Sequence, residues 1–149
     1  MPLVLAACSS SGGFESQVAD LQTKEPQIDS AQFDTASSIP ENTPPAVSVN
    51  LTDAAARKLY ADTLALPELN PSVHSCPANF GITYSVVFSD DGGTQLATAS
   101  ITPAGCQVVT LTSKTTSVVL SPDADYWPLL AADLGITETQ IYPYAPPNR

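Results

Sequence analysis

Positive charge is scarce in this chain: lysine and arginine together number 5 in 149 residues, against 15 aspartates and glutamates, for a formal net charge of -10. The acids are spread along the whole length, and a uniformly acidic surface repels phosphate backbones and anionic headgroups. Nucleic-acid binding and polybasic docking on a membrane are therefore excluded. Histidine is rarer still. His74 is the single imidazole, too little for a His-based metal centre and the sole candidate base for triad-type chemistry. No apolar run reaches the ~18 to 20 residues that a membrane-crossing helix needs. Cysteine occurs three times, an odd number that asks for an explanation in an exported protein. The abundant residues are Ala, Thr, Ser and Pro, with 14 prolines against 7 glycines, a mix that suits a small extracytoplasmic domain joined to an extended segment.

The first cysteine has a distinctive setting. Leu5-Ala6-Ala7-Cys8 places small residues before a cysteine near the N-terminus, and Ser9 to Gly13 follow as a Ser/Gly spacer. This stretch resembles the lipobox of bacterial lipoproteins, in which a signal peptidase cuts before the cysteine and the new N-terminal cysteine carries lipid. The resemblance implies lipidation at Cys8, residues 1–7 as the remnant of a signal peptide, and anchorage on the extracytoplasmic side of the cell membrane. Each buried methylene of the acyl chains would contribute ~0.8 kcal/mol to anchoring. A secretory signal has a basic start and ~7 to 15 apolar residues, whereas only Met1 to Ala7 precede Cys8 and none is basic. We expect the native start to lie upstream.

With Cys8 assigned to lipid, Cys76 and Cys106 remain as a pair in an oxidising compartment, where a disulfide is the default. Closing that loop would contribute roughly 3.5 kcal/mol in the chain-entropy picture. The same residues admit two other readings: a metal site, which is short of ligands, and a Cys/His nucleophile using His74 beside Cys76.

The chain divides into residues 8–46, expected to be a lipid-anchored, disordered linker, and 47–149, expected to be a small α+β domain. The linker carries scattered acids and a Pro-rich end with few large apolar residues, too little to offset chain ordering. Within it, Phe14, Val18 and Leu21 fall at the spacing of a short helix. In the domain, Thr52 is a plausible cap for a helix over 53–66 ended by Pro67, with Ala56, Leu59, Tyr60, Thr63 and Leu64 on one side. Residues 81–101 read as a β-hairpin with Asp91-Gly92 at its centre, which would oppose Tyr84 to Ala99, Val86 to Ala97 and Ile82 to Ile101. Further strands are expected over 106–112 and 116–120. A last helix would be capped by Ser121 or Asp125, would carry Pro128 in its first turn and Trp127, Leu130, Ala131 and Leu134 as its apolar stripe, and would end at Gly135. The expected architecture is an antiparallel four-stranded sheet packed by an N-terminal and a C-terminal helix and preceded by a disordered tether.

Few residues invite a chemical role. His74 sits in a Pro-flanked loop with no nucleophile elbow in the chain. Turn chemistry accounts for Asp90 and Asp91, and helix capping for Asp123 and Asp125, where a weak calcium site is the alternative. Tyr126 and Trp127 read as core at a helix start, with a binding patch as the alternative. The run Ser75 to Tyr84, then Ala104-Gly105-Cys106 and a terminal Tyr-Trp…Leu-Gly helix, is similar to a group of small secreted or lipid-anchored proteins of high-GC Gram-positive bacteria, known as uncharacterised lipoproteins. The similarity covers residues 51–135. It implies the Cys76–Cys106 disulfide and carries no known activity, cofactor or catalytic residue.

The expected function is therefore a non-catalytic, membrane-tethered module that binds or assists an envelope protein or cell-wall component. One alternative is a protease inhibitor presenting the loop 73–80, and another is a hydrolase using an unrecognised carboxylate site.

Overall fold

A computed structural model describes residues 13–37, 45–69, 82–103 and 106–141. Helix α1 (Phe14–Gln22) and a 3-10 turn (Glu25–Gln27) lead into β1 (Ser30–Ser37). Then come β2 (Ser48–Thr52), α2 (Asp53–Leu64), β3 (Thr83–Ser89), β4 (Gln95–Thr102), β5 (Val108–Thr112) and β6 (Ser117–Leu120). Helices α3 (Tyr126–Leu134) and α4 (Glu138–Ile141) complete the described elements.

The strands form one six-stranded sheet in the order β2-β1-β3-β4-β5-β6, antiparallel throughout. This corrects the expectation of a four-stranded sheet behind a disordered tether. Residues 14–37 of the supposed linker supply a helix and a strand, and that strand lies inside the sheet between β2 and β3. The physical reason is the sparseness of the apolar signal. β1 (SAQFDTAS) turns only Ala31 and Phe33 into the core, and β2 (SVNLT) contributes only the half-buried Val49 and Leu51. Neither strand is hydrophobic enough to announce itself locally; each is held by pairing with a neighbour distant in sequence.

Helix α2 follows the sequence closely. Thr52 occupies the N-cap position, although its side chain makes no capping bond, and the helix closes at Leu64. Its buried residues are Ala56, Leu59, Tyr60, Thr63 and Leu64. In α3, Gly135 closes the helix in the left-handed conformation at φ 70°. The capping side chain is neither Ser121 nor Asp125: Asp123 Oδ1 accepts the N–H groups of Asp125 (3.1 Å) and Tyr126 (3.0 Å).

All four helices pack on one face of the sheet. That face presents Phe33, Tyr84, Val86, Phe88, Ile101, Leu111 and Leu120, with the small Ala97 and Ala99 opposite Phe88 and Val86 leaving room for helix side chains. Phe33 stacks on Tyr84 with ring centroids 5.2 Å apart, and Tyr60 of α2 meets Phe88 edge-on at 5.0 Å. The β3–β4 register differs from the expected one. Tyr84 faces Ile101 and Val86 faces Ala99, two residues along from the prediction. The loop is longer than a two-residue turn: Gly93 donates to the Asp90 carbonyl and adopts φ 80°, and the register shifts between the pairs Ser89–Gln95 and Phe88–Ala97, leaving Leu96 as the extra residue on β4. A turn followed by a left-handed glycine and a bulge consumes the extra residues, and a shift of two preserves which side chains face the core.

At one border of the sheet the segment after α2 covers β6. Leu69 donates to the Val119 carbonyl, and Ser121 donates to the Pro67 carbonyl. Among the described residues β2 pairs only with β1 and forms the other border.

Candidate functional site

The face opposite the helices carries the most distinctive surface of the described residues. Following the register across the sheet, Ser48, Asp34, Ser85, Ser100, Thr110 and Val119 form one continuous row. Asn50, Gln32, Val87, Thr98, Thr112 and Ser117 form the next. All are exposed or half-buried. With strands ~4.8 Å apart, each row runs for about 24 Å. Asp34 is the single ionisable group in the two rows, no aromatic ring stands in them, and hydroxyls dominate.

At the β1–β2 end this surface is preorganised. Asn50 Nδ2 donates to Gln32 Oε1 (2.9 Å), and Ser48 Oγ donates to Asp34 Oδ1 (2.7 Å). Gln32 Nε2 in turn reaches both Ser48 Oγ (3.1 Å) and Asp34 Oδ1 (3.2 Å). Directly opposed polar residues on antiparallel strands fix one another's rotamers, so the ladder presents donors and acceptors in a set geometry. At the other end, the Thr112 and Ser117 hydroxyls are 3.1 Å apart. Such an array can recognise a polar, hydroxyl- or amide-bearing partner over a broad contact; it holds no nucleophile-base pair.

Two carboxylate clusters lie elsewhere. Between α2 and α3, Lys58 Nζ contacts Asp62 Oδ2 at 2.6 Å and Asp133 Oδ1 at 2.7 Å. The Asp133 side chain is only 4% exposed, and its Oδ2 is buried without a hydrogen-bond partner among the described residues. Burial, reinforced by the adjacent Asp62 carboxyl, pushes Asp133 up to about 6. Asp62 moves the other way: desolvation acts to raise it, but the neighbouring Asp133 carboxyl and the Lys58 ammonium together hold it below the ordinary aspartate range. Lys58 is raised by Asp133 first and Asp62 second, so it is a fixed cation and no nucleophile. The trio ties two helices together.

The second cluster borders a shallow cleft of about 300 Å³ lined by residues that include Asp29, Arg57, Asp90 and Asp91. Asp53, at the start of α2, stands at φ 50° and donates its N–H to the Asp29 carbonyl at 2.8 Å. The Asp53 side chain raises Asp29, with burial and the Asp91 charge adding to the shift and Arg57 opposing it. Arg57 also donates to the Ile28 carbonyl at 3.0 Å. Among the described residues no three His, Cys, Asp or Glu side chains are grouped so that they could hold a metal ion.

The residues singled out by sequence fall as follows. Cys8, His74, Cys76 and the loop 73–80 lie outside the described residues. Cys106 is exposed and disulfide-bonded. Asp90 is a turn residue, its Oδ1 accepting the N–H groups of Gly92 (3.0 Å) and Thr94 (2.9 Å), and Asp123 is a helix cap. Tyr126 and Trp127 are core, 2% and 1% exposed, with rings meeting edge-on. Sequence reasoning missed Gln32, Asp34, Ser48 and Asn50. Their signal was the alternation Ala31-Gln32-Phe33-Asp34 and Val49-Asn50-Leu51, which lies across the supposed boundary between linker and domain. Among the described residues no helix is long and apolar enough to cross a membrane. Comparison with protein-family models, curated proteins and solved structures gives no match.

Proposed function

We propose that the chain is a membrane-tethered extracytoplasmic lipoprotein, anchored through lipid on Cys8, whose open sheet face binds a protein or cell-wall component of the envelope without chemistry of its own. The observation that carries the binding part is the pair of six-residue rows spanning the sheet opposite the helices, polar at all positions but Val87 and Val119. A surface about 24 Å across, almost free of charge and fixed at its two ends by cross-strand hydrogen bonds, is suited to contact over area rather than to turnover at a point.

The disulfide belongs to the same reading. We take Cys76 as the partner of Cys106, because the α2–β3 connection, which contains Cys76, enters β3 at the sheet end where β5 begins, two residues after Cys106. A staple there would stiffen the frame that carries the binding rows.

Photo-crosslinking tests the assignment. A photoreactive residue at Ser100, on the open face, should capture one discrete envelope species from intact cells, and one at exposed Ala132 on α3 should not. Equal labelling at the two positions, or no discrete product at Ser100, would refute a binding role for this face.

A further inference from the structure

The domain begins far closer to the anchor than a long tether would place it. Helix α1 starts at Phe14, and Gln17 already donates to the Gly13 carbonyl, so only the five residues Ser9 to Gly13 separate Cys8 from folded structure. Five residues reach at most about 18 Å fully extended. Nor can α1 lengthen the leash by peeling away at no cost. Leu21 is fully buried, its carbonyl accepts the Tyr60 hydroxyl, and Asp20 binds the hydroxyls of Thr115 and Thr116 in the β5–β6 turn. Phe14 and Val18 pack against the core.

Helix α1 belongs to the helical layer, touching α2 and β6, so the attachment point is on the side away from the polar rows. Turning those rows toward the bilayer would require the leash to pass half a helix layer and the sheet with its side chains, about 15 Å, and so to be almost fully stretched. We infer that the anchor holds the helical side of the molecule against the bilayer surface, within about 18 Å, and turns the polar sheet face outward. The inference rests on the reading of Cys8 as the lipid-bearing residue. The lipid-facing side of α1 offers Glu15, Ser16, Ala19 and Gln22, which gives it no apolar wedge; it rides over the headgroups rather than entering them.

The test uses the full chain acylated chemically at Cys8, on phosphatidylcholine vesicles that carry a headgroup-attached quencher, with a fluorescent amino acid at position 15 or at position 100. Quenching should be severalfold stronger at 15 than at 100. Inserting about thirty Gly/Ser residues between Gly12 and Gly13 should abolish the difference, because such a linker averages roughly 30 to 35 Å. Equal quenching at the two positions without the insertion, or stronger quenching at 100, would overturn the inference. Because the acyl group is supplied chemically, this result is independent of what the cell does. The intact mass of protein extracted from native membranes separately reports whether Cys8 is acylated, so failure of the lipoprotein reading and failure of the orientation are distinguishable.

Discussion

The Tyr60 hydroxyl, buried in the core, donates a 2.6 Å hydrogen bond to the main-chain carbonyl of Leu21. The bond joins the middle of α2 to the last turn of α1, across 39 residues of sequence. Burial, with the charges of Glu25 and Asp20 adding to it, raises the phenol well above its ordinary range, so it remains a donor across the physiological pH range. Replacing Tyr60 with Phe leaves the ring in place against Phe88 and removes one of two hydrogen bonds to the carbonyl, which keeps the Lys24 N–H at 3.1 Å. We expect a loss of about 0.5 to 1.5 kcal/mol in urea unfolding, the net value of one hydrogen bond; unchanged stability would mean that α1 is held by other contacts.

A second prediction concerns pH. The folded state raises Asp133 to about 6 from an ordinary value of 3.8, so the native protein favours the protonated carboxyl. The stability this contributes is complete below the ordinary value and is lost as pH rises through about 6. Asp62, which is lowered, acts in the opposite sense, adding stability above the aspartate range. Asp133→Asn cannot ionise. Relative to that variant, the wild type should lose stability between about pH 4 and pH 7, as read from thermal midpoints across the range. Parallel curves for the two proteins would exclude Asp133 as the titrating group.

The position of β1 makes a third. A chain beginning at Val47, the boundary that the hydrophobic pattern suggests, lacks a strand from inside the sheet together with Phe33, Leu21 and Ile28, all fully buried. It should show no cooperative thermal transition by circular dichroism. Within the full chain, Phe33→Ala should cost about 3 to 5 kcal/mol. A cooperative transition in the shortened chain would mean that β3 to β6 form a self-sufficient sheet.

Gly135 gives the fourth. It ends α3 at φ 70° with open space where a Cβ would stand, so substitution there meets backbone strain and no clash. Gly135→Ala should destabilise by about 1 to 2 kcal/mol, while Gly92→Ala, which has ordinary backbone and a contact of 3.5 Å to Asp90 Oδ1, should change stability far less. Equal losses would point to crowding.

Much of the sheet-and-helix body was legible. In α2 a 3.6-residue period of apolar side chains coincided with a start and a stop signal, and all five residues expected to be buried are buried. β3 alternates over seven residues with Tyr84, Val86 and Phe88 inward, and its period of two survived the error in register. What failed was detection of β1, which turns only Ala31 and Phe33 into the core, and of β2, whose inward Val49 and Leu51 are half-buried. Asp34, Gln32 and Asn50 disfavour strands when viewed alone, and they are also the residues that build the candidate surface. The features that make this face polar enough to bind hid it from a reading based on hydrophobic period. The helix over 14–21 was readable from three apolar positions, but its packing was not, because its partners Tyr60, Thr115 and Thr116 lie 39 to 96 residues away.

The placement of β1 also dictates the order of events during synthesis. Its neighbours are β2, available after a short connection, and β3, whose residues 83–89 emerge dozens of residues later. Until then β1 lacks its partner on the β3 side and Phe33 is uncovered. Maturation is therefore a late, long-range step and slow for a chain of this size, and the nascent polypeptide needs shelter from self-association for as long as that side waits.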